Sequence, residues 1–276
     1  MKILITGGNG NIAKMIKNNL SQDFEIIALG RNELNILNYK DIENYLDNNN
    51  FDILVHTAIL GGRRTKDETG EVTHINLLML ENLLKFSDKF KMIINFDSAA
   101  IYDRTSDIYN RKEEDLFSIP SDYYGFSKYL IYQRSKQYNH FFNFRIFNIF
   151  HSNEEKDRFI KSCFNAKKEN KEVTIFQDKY FDFVYEDDFV KIIKHYFDNI
   201  NNQIVLEKTI NICYENKYKL SDIALLILKD NQKINILNNE LTHNYSGNGS
   251  KLNSLNIQFF GLEKSLEIYE ERLNKL

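Results

Sequence analysis

Lys2-Ile-Leu-Ile-Thr-Gly-Gly-Asn-Gly-Asn-Ile-Ala13 opens the chain and decides its fold. Lys2 to Thr6 form a short apolar run that ends in glycines, and apolar residues then recur at helical spacing from Asn11 to Leu20. This pattern predicts a strand, a tight glycine turn and a helix. Glycines in such a turn let backbone amides at the helix start approach an anionic group, which the helix dipole also favours.

The following segments repeat the alternation of strand and helix. Phe24 to Leu29 predicts a second strand, Tyr39 to Asn48 a helix, and Phe51 to His56 a third strand. A helical pattern from Glu71 to Phe86 and a buried strand from Lys91 to Phe96 come next. This alternation is typical of an α/β fold with a Rossmann-type doubly wound parallel sheet, which binds ligands beyond the carboxyl ends of its strands. Ser98 is expected just past the end of the fourth strand.

The second half of the chain alternates less regularly. Strands are predicted at Phe142 to Phe147, Val173 to Phe176 and Thr209 to Ile212. We expect residues 1–150 to form the dinucleotide-binding domain with the catalytic residues. Residues 151–276 are expected to form mainly a smaller substrate-binding lobe, interleaved with the first domain because some of its segments return to the sheet.

Composition excludes several classes of protein. The chain has 276 residues and a formal net charge of -3, so nothing indicates a nucleic-acid partner or a membrane surface. Cys163 and Cys213 are too few for a disulfide framework, and the histidines lack the spacing of metal ligands, so we predict no metal. Without a leader or a long apolar run, the protein is expected to be soluble and cytoplasmic.

Tyr124-Gly-Phe-Ser-Lys128 is a candidate proton-transfer pair. A turn at Ile119-Pro-Ser-Asp122 opens a helix, which puts Tyr124 and Lys128 on one face, one turn apart. A tyrosine has a free pKa of about 10, so it needs a nearby cation to exchange a proton near neutrality. Lys128 can supply that cation, and the Ser98 hydroxyl can hold a carbonyl oxygen. The alternative is an ordinary helix face with a serine in a turn.

The end of the second predicted strand bears on the choice of cofactor. An acidic residue there normally binds the ribose hydroxyls of NAD, but this chain has Leu29-Gly-Arg31. Arg31 favours a 2'-phosphate, so we expect NADP(H) rather than NAD(H). The alternative is a solvated surface arginine.

Several motifs recur in an order that resembles the extended short-chain dehydrogenases/reductases, the family of nucleotide-sugar epimerases, dehydratases and reductases. Besides the glycine turn and Tyr124-x3-Lys128, they are Val55-His-Thr-Ala58, Asn76, Asp97-Ser-Ala-Ala-Ile-Tyr102, Arg145-Ile-Phe-Asn148 and Asp182-Phe-Val-Tyr-Glu-Asp-Asp188. Within the family, Arg31-Asn-Glu-Leu-Asn-Ile36 and Ala58-Ile-Leu-Gly-Gly62 are similar to segments of GDP-L-fucose synthase.

The resemblance implies roles for individual residues. Catalysis would fall to Ser98, Tyr124 and Lys128, and substrate binding to Ser98, Asn148, Arg158 and Lys161. The implied cofactor-binding residues are Gly7, Asn9, Gly10, Asn11, Ile12, Arg31, Ile36, Ala58, Tyr124 and Lys128. Arg63-Arg-Thr-Lys66 is a candidate phosphate contact or a solvated loop.

Two departures from the family pattern bear on the substrate. GDP-L-fucose synthase epimerises its sugar with a cysteine two residues after the serine and a histidine in the substrate lobe. Here Ala100 takes the place of the cysteine, and no histidine lies near Arg158, with His151 the nearest candidate. Phe181 replaces an arginine that in many relatives pairs with the nucleotide diphosphate, for which Lys179, Arg158 or Lys161 could compensate.

These features predict NADPH-dependent reduction of the 4-keto group of a nucleotide-activated deoxy sugar or deoxyheptose, with GDP as the expected nucleotide. No 3,5-epimerisation is expected, and the product would enter surface-polysaccharide synthesis. Two alternatives remain open, an NAD-dependent nucleotide-sugar 4-epimerase and a non-catalytic cofactor-binding regulator. By analogy with the family, a homodimer is expected to form through the helices at Glu71 to Phe86 and Tyr124 to Tyr138.

Overall fold

The computed structural model describes residues 1–62, 67–202, 205–238, 240 and 242–275, so Arg63-Arg-Thr-Lys66 lies outside the described residues. In chain order the strands are β1 Lys2–Thr6, β2 Glu25–Leu29, β3 Ile53–His56, β4 Met92–Ser98, β5 Ile108–Arg111, β6 Phe141–Ile146, β7 Ile149–Phe150, β8 Val173–Gln177, β9 Val184–Tyr185, β10 Thr209–Ile212, β11 Ile234–Asn238 and β12 Tyr245–Gly247. The helices are α1 Asn11–Leu20, α2 Tyr39–Asp47, α3 Gly70–Leu84, α4 Tyr123–Ser135, α5 Phe159–Glu169, α6 Glu186–Asp198, α7 Leu220–Leu228, α8 Ser250–Asn253 and α9 Gly261–Leu273.

A six-stranded sheet with the order β10-β6-β4-β3-β1-β2 carries the fold. β1 pairs in parallel with β2 on one side and with β3 on the other, and β3 pairs in parallel with β4. The strand order therefore reverses between β1 and β3, which is where doubly wound sheets bind ligands. This arrangement confirms the predicted Rossmann-type fold.

The apolar patterns of the sequence explain these elements. Every residue of β3 is buried, as expected for a strand covered on both faces by helices. α1 buries Ala13, Met15, Ile16 and Leu20, which recur at helical spacing. The predicted bounds of β1, α1 and β10 match the structure, and the other elements predicted in the sheet region differ at their ends by one to three residues, with the largest difference at the end of α4.

One boundary needs a correction that affects the site. Ser98 was expected just past the fourth strand, but it is the last residue of β4. The Asp97 side chain accepts a hydrogen bond from the Ser98 amide at 2.8 Å, and the Ser98 hydroxyl accepts one from the Ala100 amide at 3.2 Å. Ser98 therefore ends the strand and also caps the 3-10 turn Ala99–Tyr102.

The chain folds into two compact units, both discontinuous in sequence. Unit 1 comprises Met1–Asp103, Leu116–Arg145 and Ile192–Ile210, and unit 2 comprises Arg104–Asp115, Ile146–Lys191 and Asn211–Leu276. Each unit has an apolar core of its own. The core of unit 1 includes Leu4, Ile42, Leu54, Leu80 and Ile93, and that of unit 2 includes Phe150, Ile175, Tyr185, Ile223 and Tyr269.

Unit 2 contains three small parallel pairs of strands instead of one large sheet. β8 pairs with β11, β5 with β12, and β7 with β9. Across the described ranges, no helix combines the length and the apolar character that crossing a membrane requires.

Candidate active site

The glycine turn joins β1 to α1 through a close approach to the segment after β3. Gly7 has a φ of +71°, and a Cβ at this position would lie 2.7 Å from the backbone nitrogen of Ala58. The Gly10 amide donates to the Gly7 carbonyl at 2.9 Å, which closes the turn. A side chain at position 7 would thus be excluded both by the backbone conformation and by the segment after β3.

The first turn of α1 is open to an anion. Its N-cap residue is Gly10, so no side chain caps the helix, and the first turn contains no acidic residue. Asn11 and Ile12 begin the helix, where backbone amides point away from the helix body. A phosphate group bound there would be stabilised by these amides and by the helix dipole.

A cavity of about 350 Å³ lies beside this turn, within unit 1. Five of the residues predicted to bind cofactor are among its walls, namely Gly7, Gly10, Arg31, Ile36 and Ala58. The other lining residues are Gly30, Leu34, Asn35, Leu37, Thr57, Ile59, Leu60, Ile75 and Met79. The shape, the glycine turn and the mainly apolar walls fit the adenosine part of a dinucleotide.

Asn9, Asn11 and Ile12 are not among the walls of this cavity. The Asn9 amide instead lies against Gly30, where a Cβ would come within 3.0 Å of the Asn9 Cγ. The carboxylate of Glu33 also faces Gly30, with Oε2 2.9 Å from the position of such a Cβ. Arg31 is exposed, so an arginine and a carboxylate both lie close to the end of β2.

The sequence did not single out several of these lining residues. Ile75 and Met79 lie one turn apart on α3, and Met79 also belongs to the apolar core. Their helical spacing was recognised, but spacing alone does not show which of the apolar side chains on a helix also face a cavity.

Lys128 is a buried cation at the centre of the predicted catalytic group. It is 3% exposed, and its Nζ donates to the Phe96 carbonyl of β4 at 2.6 Å. Burial, opposed by the carboxylate of Asp97, lowers the pKa of Lys128 to about 8. The Lys128 Nζ lies 5.6 Å from the centre of the Tyr124 ring. The ammonium group therefore lies close enough to stabilise a phenolate on Tyr124.

The structure also brings Ser98 and Tyr124 onto adjoining segments. Gly125, next to Tyr124, packs so closely on the turn after Ser98 that a Cβ there would lie 2.7 Å from the Ala100 carbonyl oxygen. Asp122 caps α4 by accepting from the Gly125 amide at 2.8 Å. Helix α4 therefore begins directly against the end of β4, with Tyr124 in its first turn and half-buried.

Two further polar side chains, His56 and Asn76, are buried in unit 1. Burial, and to a lesser degree the Lys128 ammonium, lowers the pKa of His56 to about 3, so its imidazole is uncharged near neutrality. The Nδ1 of His56 lies 2.8 Å from the Thr6 hydroxyl. Asn76 on α3 is fully buried and exchanges two hydrogen bonds with the backbone of Leu60, which fixes the segment after β3.

A buried ion pair joins Arg145 of β6 to Asp97 of β4. The Arg145 Nε donates to Asp97 Oδ2 at 2.8 Å, with both side chains at most 1% exposed. Arg145 also donates to the Tyr102 hydroxyl at 2.7 Å. These contacts join β4 to β6 immediately beside Ser98.

The predicted substrate-binding residues of unit 2 lie in one local group. Arg158 Nη2 donates to the Asn148 side-chain oxygen at 2.9 Å, and Lys161 Nζ donates to the carbonyls of Ser152 and Glu154. His151 is half-buried, and burial together with Lys161 and Arg158 lowers its pKa. The group is positively charged, in keeping with an anionic ligand.

Phe181, at the position of the family arginine, is part of an aromatic cluster in unit 2. Its ring centre lies 5.0 Å from that of Phe183 and 5.1 Å from that of Tyr245. The Lys179 Nζ lies 5.9 Å from the Phe181 ring centre. Phe181 thus packs among aromatic neighbours, and Lys179 is the adjacent cation.

The model of the NAD dependent epimerase/dehydratase family matches residues 3–213, which include the glycine turn, Ser98, Tyr124 and Lys128. The chain belongs to this family. Membership confirms the expected kinship with the extended short-chain dehydrogenases/reductases and the expectation of an NAD(P)-dependent oxidoreductase.

Solved structures with similar folds cover nearly the whole chain. A GDP-mannoheptose C4 reductase from Campylobacter jejuni with NADP bound has a TM-score of 0.80 at 18% identity, covering 99% of this chain and 98% of the other. A UDP-N-acetylglucosamine 4-epimerase from Bacillus cereus has a TM-score of 0.77 at 21% identity, covering 99% of both chains. At these identities the likeness shows the fold alone, and reductases and epimerases share that fold.

One curated relative matches part of the sequence. The GDP-L-colitose synthase of Yersinia pseudotuberculosis is 29% identical over 112 residues, which cover 39% of this chain and 36% of that protein. The match therefore spans little more than a third of the relative.

Proposed function

We propose that the protein uses NADPH to reduce the 4-keto group of a GDP-linked deoxy sugar or deoxyheptose, without 3,5-epimerisation, in the synthesis of surface-polysaccharide sugars. The observation that carries this proposal is the buried Lys128, held by the Phe96 carbonyl 5.6 Å from the Tyr124 ring. The GDP-linked reductase and the GDP-L-colitose synthase among the similar proteins support the choice of substrate class.

Tyr124 would act as the acid that protonates the ketone oxygen. A reduced nicotinamide, when bound, would supply a hydride to the carbonyl carbon. The Lys128 ammonium would favour the phenolate that Tyr124 becomes, because its Nζ is buried 5.6 Å from the centre of the Tyr124 ring. The Ser98 hydroxyl, at the end of β4, would hold the carbonyl oxygen by a hydrogen bond. The family pattern would also place Lys128 on the nicotinamide ribose.

Arg31 supports NADPH as the cofactor. It lines the cavity beside the glycine turn, is exposed, and could pair with a 2'-phosphate. The carboxylate of Glu33 faces Gly30, the residue before Arg31, and would repel that phosphate. Arg31 and Glu33 therefore have opposite effects on the binding of a 2'-phosphate. We propose that Arg31 dominates, because a guanidinium binds phosphate bidentately.

Ala100 supports reduction without epimerisation. It takes the place of the family cysteine and is 1% exposed, and its methyl group cannot accept a proton from carbons beside the ketone. Asn148, Arg158 and Lys161 would bind the nucleotide part of the substrate, with Lys179 compensating for the arginine that Phe181 replaces.

The reductase can be tested by absorbance at 340 nm with NADPH or NADH and with GDP-, dTDP- and CDP-linked 4-keto-deoxy sugars. We expect stoichiometric loss of NADPH with the GDP sugar, and an Arg31→Ala variant should lose the preference for NADPH over NADH. The reaction should also be run in D2O, where no deuterium should enter C3 or C5 of the product.

Two other outcomes would point to the rival functions. A 4-epimerase returns its hydride, so the sugar would change with no net loss of NADPH. The similar UDP-N-acetylglucosamine 4-epimerase supports keeping this candidate. A non-catalytic regulator would bind cofactor yet convert no keto sugar.

We also propose that the protein is a homodimer, formed through α3 and α4. Leu77 and Leu78 of α3 and Phe126 and Leu130 of α4 are only half-buried within one chain, so they could pack against the same helices of a second copy. Light scattering should give twice the mass of one chain, and a Leu130→Glu variant should be monomeric. A monomeric wild type at micromolar concentration would exclude this interface.

A further inference from the structure

Glu68 binds two segments of unit 1 at once, each with a different oxygen. Its Oε1 accepts from the Gly62 amide at 2.6 Å, and its Oε2 accepts from the Tyr124 amide at 3.2 Å. Gly62 belongs to the segment after β3, and Tyr124 lies in the first turn of α4. No local pattern in the sequence indicates this contact, because Glu68 and Tyr124 are 56 residues apart.

The bond from the Tyr124 amide lies in the first turn of α4, where a carboxylate is an effective acceptor. Backbone amides in the first turn of a helix lack partners within the helix, and the helix dipole attracts a negative group there. A charged acceptor also forms shorter and stronger hydrogen bonds than a neutral one. Glu68 is half-buried, so water competes less for its oxygens than at an exposed position.

The segment that Glu68 holds is in direct contact with the tyrosine ring. Gly62 has a φ of +90°, and a Cβ at this position would lie 3.0 Å from both Cε2 and Cζ of Tyr124. The Tyr124 ring therefore rests against the Gly62 backbone. Gly61, with a φ of +84°, packs in the same way against Glu68, where its Cβ would lie 2.8 Å from Oε1.

We propose that Glu68 is a positioning residue that sets the place of the Tyr124 ring by clamping Gly62 against it. The proposal rests on the proposed function, in which Tyr124 is the acid. Glu68 acts through Tyr124, and its carboxylate takes no part in proton transfer. Lys128 approaches Tyr124 from the same helix, α4, so the lysine and the clamp fix the ring independently.

Two variants separate the position of the ring from the charge of Glu68. Glu68→Gln keeps the size of the side chain but has only one oxygen, so it can accept from only one of the two amides. Gly62→Ala keeps the Glu68 carboxylate but pushes a methyl group into the ring. Glu71→Gln is the matched control, because Glu71 is an exposed glutamate three residues away in the first turn of α3.

Hydrogen exchange of the cofactor-free protein tests the clamp without any substrate. In Glu68→Gln we expect at least tenfold faster exchange in peptides that contain Gly62 and Tyr124, and wild-type exchange elsewhere. Glu71→Gln should match wild type throughout. Wild-type exchange of both peptides in Glu68→Gln would overturn the proposal, whatever the enzyme is found to catalyse.

Steady-state kinetics with the keto sugar tests the consequence. Both Glu68→Gln and Gly62→Ala should lower kcat by about 10- to 100-fold, the loss typical of a misplaced catalytic group, with KM for the sugar within about twofold of wild type. A wild-type kcat in both variants would overturn the proposal while leaving the reductase intact. A wild type that converts no keto sugar would refute the proposed function, and exchange alone would then decide whether the clamp exists.

Discussion

Lys128 is a charged residue in a place where few side chains can remain charged. It is 3% exposed, its hydrogen bond goes to a backbone carbonyl, and its pKa is lowered to about 8 by burial. The carboxylate of Asp97 partly opposes this shift. The protein thus keeps a cation beside Tyr124 at a cost in stability, as is common for groups that serve catalysis rather than folding.

Removing the Tyr124 hydroxyl is the most direct test of its role. Tyr124→Phe keeps the ring against Gly62 but cannot donate a proton, so we expect kcat to fall by about 10²- to 10⁴-fold, the usual size of a general-acid effect. NADPH affinity, measured by fluorescence titration, should stay close to wild type. Tyr123→Phe is the matched control, because Tyr123 is the neighbouring tyrosine and is exposed. Equal kcat in wild type and Tyr124→Phe would show that Tyr124 is not the proton donor.

The pH dependence of stability tests the state of Lys128. The folded protein releases this proton near pH 8, whereas a lysine in an unfolded chain keeps it to about pH 10.5. The unfolded state therefore binds more protons between these values, and the penalty of burying the ammonium, complete below pH 8, is relieved as the pH rises.

Lys128→Met removes that titration. Urea unfolding at pH 7 and pH 10.5 should show that the stability of wild type relative to this variant rises by about 3 kcal/mol with pH, the equivalent of the pKa shift. The other titrating groups cancel in this comparison, so a pH-independent difference would show that the pKa of Lys128 is not lowered in the folded protein. The proposed reductase activity of wild type should decline above pH 8, because Lys128 then loses the charge that favours the Tyr124 phenolate.

Strands β4 and β6 are joined by a buried charge pair as well as by their backbones. Asp97 accepts from Arg145 through one oxygen and from the Ser98 amide through the other, so the pair also holds the residue proposed to bind the carbonyl oxygen. Such a pair contributes little net stability, because both charges lose their hydration. Its value at this edge of the sheet lies in fixing one geometry.

Replacing one member of the Arg145–Asp97 pair should destabilise the protein more than replacing both. Arg145→Met and Asp97→Leu should each destabilise the protein by about 3–5 kcal/mol, because each leaves one buried charge without its partner. The double variant should recover most of that loss, which a double-mutant cycle in urea would measure. If the two losses simply add, the charges are not coupled.

The sequence predicted the elements far better than their mutual contacts. The apolar run before Gly7 and the helical spacing after it were sufficient for β1 and α1, because both signals are local. Ser98 was expected just past its strand but is the last residue of β4, because the end of a strand depends on its pairing with neighbouring strands, which local patterns do not show. Tyr124 and Lys128 were paired correctly on one helix face, since a spacing of four residues fixes that geometry.

Contacts between distant residues could not be predicted in the same way. Arg145 and Asp97 are 48 residues apart, and any of several buried charges could have been their partners on sequence grounds. The clamp formed by Glu68 depends in addition on the positive φ of Gly62, which no periodicity indicates. The lining of the cavity beside the glycine turn was predicted only in part, because residues such as Met79 belong to the core as well.

At the scale of the whole molecule, neither unit is one continuous stretch of the chain. The chain crosses from one unit to the other after Asp103, Asp115, Arg145, Lys191 and Ile210. Residues 192–210 return to unit 1 after more than forty residues in unit 2. A division of the chain at residue 150 therefore leaves part of unit 1 in the second fragment.

The returning segment, residues 192–210, packs aromatic side chains against the rest of unit 1. Tyr196 packs its ring on Phe142 at 5.5 Å and on Phe144 at 4.6 Å between ring centres, and Phe197 packs on Phe24 at 5.3 Å. Strand β10 covers the edge of β6 in the sheet. Without it, β6 would become an unpaired edge strand with buried aromatic residues exposed, an arrangement that promotes aggregation.

A fragment of residues 1–150 should therefore fail to form a stable monomer, even though it contains the glycine turn, Ser98, Tyr124 and Lys128. We expect it to aggregate or to show no cooperative unfolding transition by circular dichroism, and to bind NADPH at least 100-fold more weakly than the full chain. The informative control is residues 1–150 joined by a flexible linker to residues 186–212, which restores α6 and β10. Cooperative unfolding of the linked chain but not of the short fragment would show that the returning segment completes unit 1. A short fragment that unfolds cooperatively and binds NADPH normally would show instead that residues 1–150 are a domain in their own right.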